Sequence, residues 1–120
     1  MIDFFLSGGV SMIFVLLFGG AAVGAAAMTI TRPSARVQSA LRSLSLATAF
    51  SSIAGVASCF AAVGYHVTGN PAWAQSPDLH LLLLTGVAES MSPAVLGFAL
   101  LALAWVIAAG ARSPAATAAA

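Results

Sequence analysis

Residues 81–110 have the sequence LLLLTGVAESMSPAVLGFALLALAWVIAAG. This stretch is longer than the roughly 20 apolar residues that cross a hydrocarbon core as a helix. Glu89 is its only ionisable side chain. A carboxyl group at that depth costs several kcal/mol unless it is protonated, is paired or faces water, so an intramembrane acid is by default a functional candidate.

Two further apolar blocks precede this one, and charged residues separate all three. The chain has 120 residues, of which 61% are hydrophobic and 6% are charged, whereas soluble domains carry about 25% charged residues. The blocks are too long and too rich in alanine for membrane strands. We therefore predict an all-α integral membrane protein, one domain over residues 1–120, with three transmembrane helices at about 4–30, 44–66 and 80–110.

The arginines predict the orientation of these helices. Arg32, Arg36 and Arg42 lie between the first and second spans, and Arg112 follows the third. A three-span topology puts these two places on one side of the membrane, which the positive-inside rule makes cytoplasmic. The N-terminus is then outside and the C-terminus inside. Because MIDFFLSGG contains Asp3 and no basic residue, it is unlike a signal peptide, and the first span is expected to be retained.

The third apolar block is too long for one straight crossing. Its 30 residues correspond to about 45 Å of helix, so it must tilt, project into the cytoplasm or bend at Pro93. A proline there removes a hydrogen-bond donor from a carbonyl near Glu89.

Small hydroxyl residues surround the acid, namely Thr85, Ser90 and Ser92. One interpretation is a protonatable site that lies in an ion path or faces a polar partner. The other is a protonated glutamic acid that hydrogen-bonds to a neighbouring helix and holds an oligomer together. The residues alone leave both interpretations open.

Small residues recur at helical spacing in the other two spans. In the second span they are Ser51, Gly55 and Cys59, with Thr48 and Ser52 alongside and a second row of Ala54, Ser58 and Ala62. In the first span, Gly20 and Gly24 form a GxxxG pair. This spacing lets helices approach closely, and it indicates packing more often than a pore lining.

His66 and His80 bracket the loop between the second and third spans. With Cys59 or Met91 they could be imagined as haem or metal ligands, but residues at this position are more often headgroup-level side chains. No catalytic or metal-binding motif occurs, and no basic run suggests nucleic acid. We expect no enzyme activity, no metal and no cofactor.

The third span nevertheless contains a familiar motif. The run from Gly86 to Met91, GVAESM, followed by Gly97, resembles the G-I-A-E-A-L…G-L signature of the MotA/TolQ/ExbB family of proton-driven stators. The opening LSGGVSMIFVLLFG is similar to the G-G-x-x-M start of that family's first span. The topology of three spans with the N-terminus outside also matches.

The resemblance implies a homopentamer in a bacterial inner membrane that surrounds a single-span ExbD/TolR/MotB-like partner, with Glu89 facing the lumen. We assign two sets of residues on this basis. The ion pathway or lumen set is Glu89, Thr85, Ser92, Ser52 and Gly55, and the helix-packing set is Gly20, Gly24, Ser58 and Gly97.

The chain also departs from the family pattern. Ala94 and Val56 stand where members commonly have threonines, Pro93 is unusual at its place, and the cytoplasmic domain is reduced to a short turn. Two functional hypotheses follow: a ring-forming, stator-like subunit that passes protons, or a non-conducting membrane scaffold or anchor of a larger complex. A third, an accessory subunit of a respiratory complex, would place a quinone or haem near His66 and His80.

Overall fold

A computed structural model describes residue 2 and residues 9–119 of the chain, with side chains of the latter as far as residue 111. This part of the chain is helical and contains no strand. It includes three segments that are long and apolar enough to cross a membrane. The predicted all-α membrane fold is confirmed at this level, and the predicted start of the first span lies outside the described residues. The helices are α1 (Gly9–Thr31), α2 (Ala35–Gly69), α3 (Pro71–Ala74), α4 (Leu79–Ser90) and α5 (Ser92–Ala119).

The second helix begins at Ala35, well before the predicted start of the second span near residue 44. Ser34 is its N-cap, and the Ser34 hydroxyl oxygen accepts a hydrogen bond from the Val37 N–H at 3.2 Å. This bond satisfies one of the amide donors that every helix start leaves without an intrahelical partner. The polar turn after α1 is therefore short, and α2 runs continuously from the arginine-rich segment into the apolar one.

The third span is divided at Met91, between α4 and α5. The Met91 N–H donates to the Ala88 carbonyl, three residues earlier, at 3.2 Å. Such a 3₁₀-type hydrogen bond is common in the last turn of an α-helix. Pro93 lies in the first turn of α5, where its missing N–H is tolerated. A bend at Pro93 was one of the three outcomes that the sequence allowed for this long span. The break occurs two residues earlier because a proline ring obstructs the turn that precedes it.

Close contacts between α1, α2 and the third span are made through small residues. A β-carbon placed on Gly19 would lie 2.5 Å from Leu100, and one placed on Gly86 would lie 2.8 Å from Val63. Gly97 is in direct contact with Ser52. Helices in a membrane associate through such close approaches, since lipid provides no hydrophobic drive between them.

We call the end of the bundle that carries Arg32 and Arg36 the arginine end, and the end formed by residues 70–78 the hairpin end. The arginine end contains a small apolar core, whereas long apolar side chains along the bundle remain exposed, as expected for contact with lipid or other subunits. The core residues are Ala22, Ala25, Ala26, Leu41, Ala104 and Ala108.

Within the described residues, the three spans pack unequally along the bundle. Helix α1 packs along α2 and α5, whereas α4 packs mainly against α2. Ser11, close to the start of the described part of α1, lies at the level of Gly55, midway along α2. From that level to the hairpin end, α2 and α4 pack against each other, and the candidate site lies beside them.

Candidate functional site in the membrane span

A cavity of about 720 Å³ lies between α2, α4 and the start of α1. The wall from α4 includes Thr85 and Glu89, with Asp78 at the N-cap position of that helix. The wall from α2 includes Ser58, Cys59 and His66. The cavity therefore connects groups of the hairpin end with the carboxylate inside the third span.

One face of α4 carries the polar side chains of this cavity. Asp78, Leu82, Thr85 and Glu89 all line it, and their spacing of four, three and four residues places them in a row along a helix. Glu89 lies about 15 Å along the helix axis from the first residue of α4, Leu79. An acid at each end of the row, with a hydroxyl between them, gives this face its polar character.

The Glu89 side chain is exposed on the isolated chain. No hydrogen-bond or ion-pair partner of its carboxylate lies among the described side chains of residues 9–111. The neighbouring hydroxyls donate within their own helix, Thr85 to the Leu81 carbonyl at 2.9 Å and Ser90 to the Gly86 carbonyl at 2.6 Å. The carboxylate is thus available to water or to another chain.

The backbone next to the acid is also unusual. Pro93 follows Glu89 by four residues, so it cannot supply the N–H that would normally bond to the Glu89 carbonyl. The predicted loss of a donor near the acid therefore falls on Glu89 itself. The Met91 N–H, which caps α4, is directed at the Glu89 carbonyl and at that of Ala88.

The five residues predicted for the ion pathway do not share one surface. Glu89 and Thr85 line the cavity and are exposed. Ser52, Gly55 and Ser92 are buried in the bundle, where Ser52 contacts Gly97 and Gly55 lies against Pro93 and Ser11. The Ser52 hydroxyl donates to the Thr48 carbonyl of its own helix at 2.8 Å.

The residues predicted for helix packing are also divided. Gly97 is buried in a contact between helices. Ser58 is exposed, lines the cavity, and donates its hydroxyl to the Ala54 carbonyl at 2.8 Å. Gly20 and Gly24 are exposed, and β-carbons placed on them would meet no atom within 4 Å. Any packing role of Gly20 and Gly24 would therefore be in contacts with another chain, and it stays a prediction.

Sequence reasoning did not assign Asp78 or His66 to the site. The row of Asp78, Thr85 and Glu89 is visible in the sequence once α4 is taken as a helix from residue 79. His66 could not be placed in the same way, because its position depends on how the hairpin folds α4 back against α2. His80, which the sequence analysis considered together with His66, is exposed and does not line the cavity.

Metal chemistry gains no support from this arrangement. Within the described residues, no group of three or more His, Cys, Asp or Glu side chains is placed to hold a metal ion. The described part of the cavity lining is instead mixed polar and apolar, and it includes the carboxylates of Asp78 and Glu89, the imidazole of His66 and several hydroxyls. Such groups suit contact with water, protons, cations or polar side chains.

No protein-family model, curated protein or solved structure matches this chain.

Proposed function

We propose that the chain is a ring-forming, stator-like membrane subunit whose Glu89 faces a neighbouring transmembrane helix and takes part in proton passage. One observation carries this proposal: an acid within an apolar span is exposed on the chain and has no partner among the described side chains. A carboxylate at that depth is stable only if it is protonated, covered by protein or reached by water. Other chains that assemble around this surface would supply the cover.

The motif around Glu89 supports the particular kind of assembly. The GVAES sequence and the first-span opening resemble the MotA/TolQ/ExbB stators, so the proposed assembly is a pentamer in a bacterial inner membrane around a single-span partner helix. Exposed apolar side chains along α1 and α5 provide surface for such contacts. Among them are Ile13, Leu17, Val95 and Phe98.

The second candidate function is a non-conducting scaffold or anchor of a larger complex. It is favoured by the burial of Ser52 and Ser92 inside the bundle. Because the Ser52 hydroxyl donates to its own helix, it does not extend a polar path away from the cavity. The scaffold and the stator share the assembly but differ in whether ions pass.

The assembly is tested by purifying the protein from native membranes in a mild detergent or nanodisc and measuring the subunit count by native mass spectrometry. The stator hypothesis predicts a ring of identical subunits with a co-purifying single-span chain. A monomer with no partner would overturn both candidate functions.

Proton passage is tested separately with Glu89→Gln, which keeps the size of the side chain and removes its charge. The purified complex is reconstituted in liposomes, and internal pH is followed with a dye under an imposed potassium diffusion potential. The stator hypothesis predicts that the substitution preserves the subunit count and abolishes flux. Equal flux in the two proteins would exclude a conducting role for Glu89, and absence of flux in the unsubstituted complex would favour the scaffold.

A further inference from the structure

We infer that the cavity beside α4 is a cation-selective aqueous vestibule that opens at the hairpin end and leads to Glu89. It concerns access to the same carboxylate as the proposed function, but it requires neither a ring nor conduction. The inference rests on the shape of the cavity and on the charges of its lining.

The described lining gives the extent of the cavity. Helix α4 packs mainly on α2, and Gly9, Val10 and Ser11 line the cavity from the first described turn of α1. Trp73 and Asp78 line it at the hairpin end, and Glu89 and Ser90 line it within the span. The space therefore extends from the predicted headgroup level to the acid, and about 720 Å³ is large enough for many waters.

The described lining is mostly apolar, but polar groups follow one side of it. Asp78 is the N-cap residue of α4, yet its side chain makes no capping hydrogen bond and lines the cavity instead. Below it come Thr85 and Glu89 on the same face, and His66 and Ser58 stand on the α2 wall. A space with this many polar partners can hold ordered water, whereas a purely apolar cavity stays dry.

The charges select the sign of the ion. Among the described lining residues there are two carboxylates and no arginine. A cleft that carries one sign of charge raises the local concentration of the opposite ion. Asp78 near the mouth attracts cations and repels anions, and Glu89 is the group that they reach.

The test uses thiol labelling in intact cells, spheroplasts and inverted vesicles with membrane-impermeant methanethiosulfonates, one cationic and one anionic. In a Cys59→Ser background, Thr85→Cys reports on the cavity. Leu84→Cys is the matched control, because Leu84 is adjacent and 64% exposed but does not line the cavity. Gln75→Cys identifies the side of the membrane on which the hairpin end lies.

We expect Thr85→Cys to react from the side that labels Gln75→Cys, while Leu84→Cys stays unreactive until detergent is added. We also expect the cationic reagent to react faster than the anionic one. Asp78→Asn should lower that preference about fourfold, because a unit charge about 10 Å away changes the two rates about twofold in opposite directions.

Equal protection of Thr85→Cys and Leu84→Cys in membranes would overturn the inference, since it would mean that lipid, a second copy or a partner helix fills the cavity. So would labelling of Thr85→Cys only from the side opposite to Gln75→Cys. Where Thr85→Cys fails to fold, the unsubstituted chain serves, because Cys59 is its only cysteine and also lines the cavity. None of these results depends on the subunit count or on proton flux, so the vestibule and the proposed function can fail independently.

Discussion

Pro93 of α5 packs against Gly55 of α2 so closely that a β-carbon placed on Gly55 would lie 2.8 Å from the β-carbon of Pro93. Both residues are buried, and Ser11 of α1 completes the contact. Glu89 lies one helical turn before Pro93. The contact thus lies two residues after the break at Met91 and ties the start of α5 to α1 and α2.

Gly55→Ala should therefore destabilise the protein. The added methyl group meets a proline ring and a β-carbon of α1, neither of which can move freely, so we expect a loss of about 1–3 kcal/mol in the free energy of unfolding. Denaturant unfolding in detergent, followed by circular dichroism, measures it. Gly64→Ala is the control, since a β-carbon there meets nothing within 4 Å; equal stability of the two variants would contradict the observed contact.

Pro93→Ala should make the third span more continuous. The new N–H at residue 93 can donate to the Glu89 carbonyl, which the proline cannot serve. The amides around Met91 should therefore exchange their hydrogens more slowly, which hydrogen–deuterium exchange mass spectrometry measures. Pro71→Ala, at the start of α3, should leave those amides unchanged, and unchanged exchange in Pro93→Ala itself would show that the break has another cause.

Ser52→Ala should change neither stability nor ion flux appreciably. The hydroxyl bonds only within its own helix, and its removal leaves no buried donor unpaired, so the expected cost is below about 1 kcal/mol. Ser52→Leu should be strongly destabilising, because Gly97 already contacts this side chain. A loss of flux in a well-folded Ser52→Ala protein would mean that ions pass through the bundle interior rather than along the Glu89 face.

Gly19 and Gly20 should respond differently to the same substitution. Gly19→Leu would force a side chain into Leu100, which lies 2.5 Å from the β-carbon position, and the monomer should lose stability. Gly20→Leu meets nothing within the chain, so the monomer should stay folded. If the Gly20 and Gly24 face packs against another subunit, this variant should lower the subunit count in native mass spectrometry. An unchanged oligomer would remove that face from the assembly.

Much of the fold could be predicted because membranes constrain the sequence strongly. An apolar run of more than 20 residues has few alternatives to a helix, since every backbone group must be paired within the segment. For the third span the sequence left tilt, projection and a bend at Pro93 open, and the structure has a break at Met91. Helix ends were less predictable: α2 starts at Ala35 since Ser34 caps it, and hydropathy does not detect caps.

It was harder to predict from the sequence which residues form the candidate site. Glu89 was identifiable because a lone acid in an apolar run is conspicuous, and Thr85 was included as a small hydroxyl residue close to it in the sequence. Ser52 and Ser92 were grouped with them because they are small and polar, yet they are buried between helices. When nearly every face of a helix is apolar, the sequence pattern gives little information about which face meets which neighbour.

The sequence by itself determined that the chain is helical and apolar enough to span a membrane three times, with one carboxylate deep in the third span. These properties depend on composition and local backbone chemistry. Only the tertiary structure decided that Asp78, His66 and Glu89 line one cavity while Ser52 and Gly55 are enclosed. That division arises because α4 packs mainly on α2, whereas α5 packs on both α1 and α2, a consequence of contacts between residues far apart in the chain.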